Sequence, residues 1–168
     1  RVMHANLRSW LKQKCVEDNK LSLRYKNGSQ IKAVSSGEDS GRSEALSLLV
    51  LDEAAFIEKI DGIWAAASQT LSTGGQCIAL STPNGVGNWF HQAYVDAEQE
   101  QNDFFPTVLP WEVHPDRDMN WFEKETRNMS RRQIAQELEC NFNMSGETVI
   151  HPDDLTWIES TIKEPQYR

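Results

Sequence analysis

The sequence predicts an α/β fold in which a mostly parallel sheet is flanked by helices. Two short apolar runs, 48–51 and 77–80, each end abruptly in polar residues, and a helical pattern of apolar residues lies between them. Such runs are typical of strands buried on both faces of a parallel sheet. A strand–helix–strand crossover leaves its strands parallel, so the polar residues that follow both strands are expected at one edge of the sheet.

Three patterns precede the first apolar run. Residues 2–16 carry apolar side chains near helical spacing, which predicts an amphipathic helix. Alternating segments on both sides of Asn27-Gly28 predict a β-hairpin, for which Asn-Gly is the strongest short signal. Residues 35–44 are rich in serine, glycine and charge, which predicts a loop. That loop carries Arg42, and a loop arginine is most often simply solvated.

Two carboxylates, Asp52 and Glu53, directly follow the first apolar run. Ligands of open α/β sheets bind outside the carboxyl ends of the strands, and a bound cation relieves the repulsion between adjacent carboxylates. The first acid after such a strand can help to hold Mg²⁺ on nucleotide phosphates, and the second can take a proton from the attacking water. A solvated acidic turn explains the same two residues about equally well.

The second apolar run is also followed by polar residues. A helix is predicted over 61–71, and the segment 81–85 after the second strand reads Ser-Thr-Pro-Asn-Gly. Ser81 and Thr82 are therefore placed to reach the water or the γ-phosphate that Glu53 would serve. A plain turn built on proline and glycine accounts for this segment comparably well.

Further elements are predicted in the second half of the chain. Residues 88–100 have the pattern of a helix, and 104–109 have that of a short strand. Two more helices are expected, one capped by Asp118 and the other beginning with a capping box at Ser130.

Composition and charge narrow the class of protein. The 168 residues are 39% hydrophobic and 25% charged, enough for one domain with a sizeable core, and the longest apolar run is too short to cross a bilayer. Three widely spaced cysteines favour a reducing compartment. Residues 1–45 hold 9 Lys/Arg against 5 Asp/Glu, whereas residues 46–168 hold 8 against 20. A domain that wraps nucleic acid with its whole surface is thus excluded.

In their order and spacing these motifs resemble the large terminase subunit of tailed double-stranded DNA bacteriophages. The resemblance spans about residues 20–145. The motifs that carry it are the Asn27-Gly28 hairpin, the Gly41-Arg42 loop, Leu49-Val50-Leu51-Asp52-Glu53-Ala54-Ala55-Phe56-Ile57, Trp64, Ser81-Thr82-Pro83-Asn84-Gly85 and the segment 134–142.

That family is a DNA-packaging motor with an N-terminal ATPase domain of the P-loop NTPase type and a C-terminal nuclease domain with an RNase H-like fold. The resemblance implies that Asp52 is the Walker B acid that binds the metal and that Glu53 is the catalytic glutamate. Arg42 lies in the loop from which some members present an arginine finger to the ATP of the neighbouring subunit. A coupling motif, which senses the nucleotide state, is implied at Ser81, Thr82 and Asn84.

The same resemblance implies the partners of the protein. Its cofactors would be ATP and Mg²⁺. Its partners would be viral double-stranded DNA, the portal protein, the small terminase subunit and further copies of itself in a homo-oligomeric ring on the prohead. It would work in the host cell cytoplasm, attached transiently to the prohead and not to a membrane.

One motif of a P-loop ATPase is missing, since no Gly-Lys-Ser/Thr occurs anywhere in the 168 residues. The Walker A half of the fold is therefore expected outside this chain. Residues 1–145 would be the C-terminal part of the ATPase domain, and 146–168 a linker or the start of an absent nuclease domain. The chain alone is then expected not to hydrolyse ATP.

Two other functions fit part of the pattern. Asp-Glu-Ala-Ala followed by Ser-Thr-Pro is also similar to superfamily 2 helicases, which are nucleic-acid-dependent ATPases, although no later helicase arginine motif follows. A non-catalytic α/β interaction module with an acidic surface is the third candidate. The continuation Thr-Pro-Asn-Gly favours a terminase that hydrolyses ATP to translocate viral DNA into the prohead.

Overall fold

The computed structural model describes residues 2–35, 46–72, 74–146 and 152–162. Within these ranges the strands are β1 (Cys15–Asp18), β2 (Ser22–Tyr25), β3 (Gln30–Lys32), β4 (Leu48–Asp52) and β5 (Gln76–Leu80). The helices are α1 (Val2–Asn6), α2 (Ile60–Leu71), α3 (Trp89–Glu98), α4 (Met119–Glu125), α5 (Arg131–Glu137), α6 (Phe142–Ser145) and α7 (Pro152–Thr161). None of these described helices combines the length and apolar character that crossing a bilayer requires.

The N-terminal segment forms less helix than its pattern predicts. Helix α1 ends at Asn6, and β1 pairs antiparallel with β2 where the predicted helix would continue. The apolar side chains that suggested the helix are largely exposed, Val2 by 75% and Leu11 by 49%. A short helix that buries no apolar face is marginal in water, whereas strand pairing satisfies the backbone of Cys15–Asp18. The prediction of a helix over 2–16 was therefore wrong beyond its first turn.

The hairpin predicted at Asn27-Gly28 is confirmed. Strands β2 and β3 pair antiparallel, and the Gly28 amide donates to the Tyr25 carbonyl at 3.0 Å. Gly28 has a φ of 87°, a conformation that glycine adopts without steric cost. The side-chain oxygen of Asn27 accepts from the Ser29 amide at 3.1 Å, which closes the turn.

The predicted crossover is also confirmed. Strands β4 and β5 pair in parallel with α2 between them, and Asp52 lies opposite Leu80 in the register. Helix α2 ends as its glycines predict, because the amides of Gly74 and Gly75 both donate to the carbonyl of Leu71. The segments that leave β4 and β5 therefore start at the same edge of the sheet.

Within the described residues only one face of the parallel strands is covered, which corrects the expectation of burial on both faces. Leu51 packs with Ala54, Ile60 and Ile63 under side chains of α2 and α3. Residues with the opposite alternation stay about half exposed. They are Leu48, Val50, Ile78 and Leu80, at 44–52%. An apolar run shows that a strand belongs in a sheet, but the helices that pack on the sheet decide which faces are buried.

The stretch between α3 and α4 is irregular over residues 104–109. Residues 104–109 join neither sheet, so the predicted strand is wrong there. Asn102 holds this stretch instead, because its side chain donates to the Ala93 carbonyl at 2.8 Å and accepts from the Phe104 amide at 2.9 Å. The ring of Phe104 packs against that of Trp64, with 5.4 Å between the ring centroids.

Both predicted helix caps are present. Asp118 accepts a hydrogen bond from the Trp121 amide at 2.8 Å, and this bond is the main reason that the pKa of Asp118 lies below its usual value. Ser130 and Gln133 form the predicted capping box. Helix α7 lies in the stretch 146–168, whose assignment to a linker or a second domain stays a prediction.

Candidate functional site

The acidic turn, formed by Asp52 and Glu53, lies at the carboxyl end of β4 with both side chains exposed. Glu53 has φ 52° and ψ 44°, the left-handed helical conformation. This conformation costs a residue with a side chain roughly 1–2 kcal/mol. Residues held in sparsely populated conformations concentrate at active sites, where the surrounding structure enforces them. The strain at Glu53 is thus consistent with a functional role for this turn.

Small residues after Glu53 let the chain fold back against the core. Ala54–Phe56 form a single 3₁₀ turn, in which the Phe56 amide donates to the Glu53 carbonyl at 2.9 Å. Ala54 is 1% exposed and Ala55 is 7% exposed, so the methyl groups fill space beneath the sheet edge. The two alanines therefore seat the turn on the core while the two acids face solvent.

The segment after β5 binds the backbone of one residue, Ala55, which follows the acidic turn. The side-chain oxygen of Ser81 accepts from the Ala55 amide at 3.2 Å. The side-chain amide of Asn84 donates to the Ala55 carbonyl at 3.2 Å. Both backbone polar groups of this buried alanine are therefore satisfied by side chains that follow the neighbouring strand. The predicted meeting of the two polar strand ends at one edge is confirmed.

The segment after β5 is itself fixed by the start of α3. The side chain of Asn88 donates to the carbonyls of Asn84 at 2.9 Å and of Gly85 at 3.3 Å. Its oxygen caps α3 by accepting from the His91 amide at 2.9 Å. Asn88 was not among the predicted site residues, although an asparagine just before a helical pattern is a recognisable N-cap signal.

The donor set of the acidic turn fits a magnesium ion that also binds phosphate. Mg²⁺ is commonly held by one or two protein carboxylates together with waters and substrate oxygens. Asp52 and Glu53 supply exposed carboxylate oxygens of this kind. Across the ranges that the structure describes, no three His, Cys, Asp or Glu side chains cluster in a way that could hold a metal by themselves.

The cysteine on β5, Cys77, is not a reactive thiol at neutral pH. Cys77 lies on β5 against the hydrophobic core, and burial raises the pKa of its thiol to about 11. The thiol is accordingly protonated at neutral pH and behaves as a small apolar side chain.

The predicted site residues divide into three groups. Ser81 and Asn84 contact the turn that carries Glu53, and Thr82 lies between them in sequence, partly buried. Asp52 lies beside Glu53 at the strand end. Arg42 lies outside the described residues. The chemical roles assigned to all of these residues stay predictions.

The parallel β4–α2–β5 unit, with an acidic turn at its carboxyl edge, places the protein in the class of α/β domains whose ligands bind at the carboxyl ends of parallel strands. The sequence matches the family described as "Terminase large subunit, T4likevirus-type, N-terminal" over residues 4–157. The chain therefore belongs to the terminase large subunit family.

Individual relatives agree with this assignment. The chain is 29% identical over 136 residues to the "Probable terminase, large subunit gp28" of Escherichia phage Mu, covering 68% of this chain and 24% of that protein. The fold is similar to the large terminase ATPase domain of Thermus phage P74-26, with a TM-score of 0.56 and 24% identity, covering 77% of this chain and 63% of that domain. A mutant of the same domain gives a TM-score of 0.56 at 21% identity.

Proposed function

We propose that this chain is part of the ATPase motor of a phage large terminase, which hydrolyses ATP to translocate viral double-stranded DNA into the prohead. The observation that carries the proposal is the hydrogen bonding of Ser81 and Asn84 to Ala55, just after the acidic turn, in a chain of the terminase family. These hydrogen bonds connect the chain beside the two acids, which would carry out hydrolysis, with the segment after β5, which would respond to the nucleotide.

Within the site, Asp52 and Glu53 have different tasks. Asp52 would hold Mg²⁺, which supplies charge neutralisation on the nucleotide phosphates when bound. Glu53 takes a proton from the attacking water, which makes the water a better nucleophile. The enforced left-handed backbone of Glu53 fixes the direction in which its side chain leaves the strand.

The hydrogen bonds of Ser81 and Asn84 to Ala55 support a coupling role for the segment that also contains Thr82. A displacement of this segment on nucleotide binding or release would shift Ala55, because the backbone N–H and C=O of Ala55 are both bound to the segment. The catalytic glutamate precedes Ala55 by two residues. Arg42 would act as an arginine finger, in cis or in trans, that stabilises charge in the transition state.

The nucleotide site also needs a phosphate-binding loop from the full-length protein. No Gly-Lys-Ser/Thr occurs in the 168 residues. The exposed apolar face of β4 and β5 offers a surface on which the Walker A half of the domain would pack. The chain alone is accordingly expected to bind ATP weakly and not to hydrolyse it, because backbone amides and a lysine normally cradle the phosphates.

The remaining assignments concern the whole protein. An endonuclease activity, the portal protein, the small terminase subunit and a homo-oligomeric ring on the prohead in the host cytoplasm are proposed for it from the terminase family.

The test is Glu53→Gln in the full-length protein. Glutamine nearly keeps the shape of the side chain but cannot accept the proton, so turnover should fall by about 10²–10⁴ while ATP binding persists. Asp52→Asn should instead weaken Mg²⁺-dependent ATP binding. Phosphate release and ATP titration measure the two effects.

Glu58→Gln is the matched control, since Glu58 is an exposed acid five positions beyond the site residue. It should hydrolyse ATP at the wild-type rate. Wild-type turnover in Glu53→Gln would instead favour a non-catalytic interaction module. Unwinding of duplex DNA without packaging into proheads would favour a helicase-like ATPase.

A further inference from the structure

The segment after β5 that binds Ala55 is also bound by the C-terminal part of the chain. Ser145, at the end of α6, is fully buried. Its hydroxyl oxygen accepts a hydrogen bond from the Gly85 amide at 3.0 Å and donates to the Phe142 carbonyl at 3.0 Å. Gly85 directly follows Asn84, which holds the Ala55 carbonyl. One buried hydroxyl thus connects two segments that lie 60 residues apart in sequence.

The backbones at this contact are too close for side chains. A Cβ added to Gly146 would lie 2.5 Å from the Cα of Gly85, and a Cβ added to Gly85 would lie 2.8 Å from the Cα of Gly146. Gly85 also has a φ of 71°, which disfavours any other residue. We call Gly85, Ser145 and Gly146 the glycine joint.

The joint is held from the C-terminal side by α5 and α6. The guanidinium Nε of Arg132 donates to the Ser145 carbonyl at 2.8 Å. Asn141 caps α6 by accepting from the Met144 amide at 3.2 Å. The ring of Phe142 packs against that of Tyr94 on α3, with 5.4 Å between the ring centroids. Ser145 is therefore held by contacts that do not involve Asp52 or Glu53, and it can serve as a support for the segment 81–85.

We propose that Ser145 is a positioning residue for ATP hydrolysis: it fixes Gly85, and through Asn84 and Ala55 it fixes the turn that carries Glu53. The proposal rests on the proposed ATPase function of that turn. Without the hydroxyl, the Gly85 amide would lose its acceptor inside a buried contact, and the segment 81–85 would have to shift to find another. Because the segment 81–85 is bound to the backbone of Ala55, its shift would move Ala55 and with it Glu53.

The first test is Ser145→Ala in the full-length protein. We expect kcat for ATP hydrolysis to fall roughly tenfold or more, because small misplacements of catalytic groups have large effects on rate. The KM for ATP should stay within about twofold, because the hydrogen bonds of Ser145 go to Gly85, Phe142 and Arg132 and not to the two acids. The Ala55 amide should exchange with deuterium faster than in the wild type, a change that can be measured without ATP.

Thr126→Val is the matched control. Thr126 also donates its hydroxyl to a backbone carbonyl, that of Phe122 at 2.8 Å, but this bond lies within the last turn of α4. This variant should keep the wild-type kcat and the wild-type exchange of the Ala55 amide. If it lowers kcat as much as Ser145→Ala does, the effect is general destabilisation and the proposal is overturned.

A double-mutant cycle then tests the route. If Ser145 acts through Asn84, the double variant Asn84→Ala with Ser145→Ala should be no slower than the slower single variant. Independent, multiplied losses in kcat would overturn the proposed route. If Ser145→Ala does not fold, Ser145→Cys replaces it, since cysteine has a similar shape and is a weaker acceptor.

The outcomes separate this proposal from the function on which it rests. If full-length wild-type protein does not hydrolyse ATP, the proposed function fails, whereas exchange at Ala55 still reports on the joint. If Glu53→Gln abolishes turnover but Ser145→Ala changes neither kcat nor the exchange of the Ala55 amide, the positioning role of Ser145 is refuted and the ATPase assignment stands.

Discussion

The backbone amide of Ala55 donates a hydrogen bond to the side-chain oxygen of Ser81, 26 residues further along the chain, at 3.2 Å. This bond joins the turn after β4 to the segment after β5. Ala55 is almost fully buried, so little water is available to replace Ser81 as the acceptor. The bond therefore fixes the position of Glu53 relative to the neighbouring strand.

Replacing Ser81 by alanine should affect both stability and rate. The unpaired Ala55 amide should cost about 1–3 kcal/mol in free energy of unfolding. In the full-length protein kcat should also fall, with ATP affinity nearly retained, because the turn loses its fixed position. Ser81→Thr keeps the hydroxyl and should restore both properties. Denaturant unfolding and steady-state phosphate release measure them.

Ser68→Ala is the control for Ser81. The Ser68 hydroxyl donates to the Ala65 carbonyl within its own helix, at 3.3 Å. Loss of the Ser68 hydroxyl should have little effect on the free energy of unfolding or on kcat. Equal unfolding free energies and rates for Ser81→Ala and Ser68→Ala would contradict the clamping role of Ser81.

The left-handed backbone of Glu53 predicts an unusual order of stabilities. Glycine adopts φ 52° without the steric cost that any Cβ imposes, so Glu53→Gly should be more stable than Glu53→Ala by about 1 kcal/mol. Both full-length variants should lack ATPase activity, since neither carries a base. Chemical denaturation of the two variants makes the comparison. Greater stability of the alanine variant would show that the turn is not held in this conformation.

Arg42 lies outside the described residues, and its proposed role as a finger is tested by rate. Arg42→Ala in the full-length protein should lower turnover by about 10³–10⁵ and leave ATP affinity nearly unchanged. If the finger acts in trans, mixing Arg42→Ala with Glu53→Gln subunits should recover part of the activity, because some interfaces then contain both groups. Absence of rescue at every mixing ratio would count against action in trans.

The buried thiol of Cys77 predicts a loss of stability in alkali. Burial raises its pKa from 9.0 to about 11, so between these values the unfolded chain releases a proton that the folded chain keeps. The free energy of unfolding should therefore fall as the pH rises from 9 to 11. Cys77→Ala should show a shallower fall in urea titrations across this range. An unchanged slope would mean that other groups cause it.

Local sequence signals determined much of the fold. The Asn27-Gly28 turn, the Asp118 cap and the Ser130 capping box each depend on residues within a few positions of one another. The parallel pairing of β4 and β5 also followed from the sequence, because a helix between two strands carries the chain back so that the second strand runs in the same direction as the first. That rule alone placed Ser81 near the acidic turn.

Tertiary structure decided the rest. Residues 15–18 form a strand because β2 offers them a partner, which the helical spacing of their neighbours conceals. The left-handed backbone of Glu53 is enforced by contacts of Ala55 with residues after β5. The bond between Ser145 and Gly85 has no signature in either segment, since a contact across 60 residues follows no periodicity. The sequence alone determined which residues stand at the strand ends, and long-range packing determined how those residues are held.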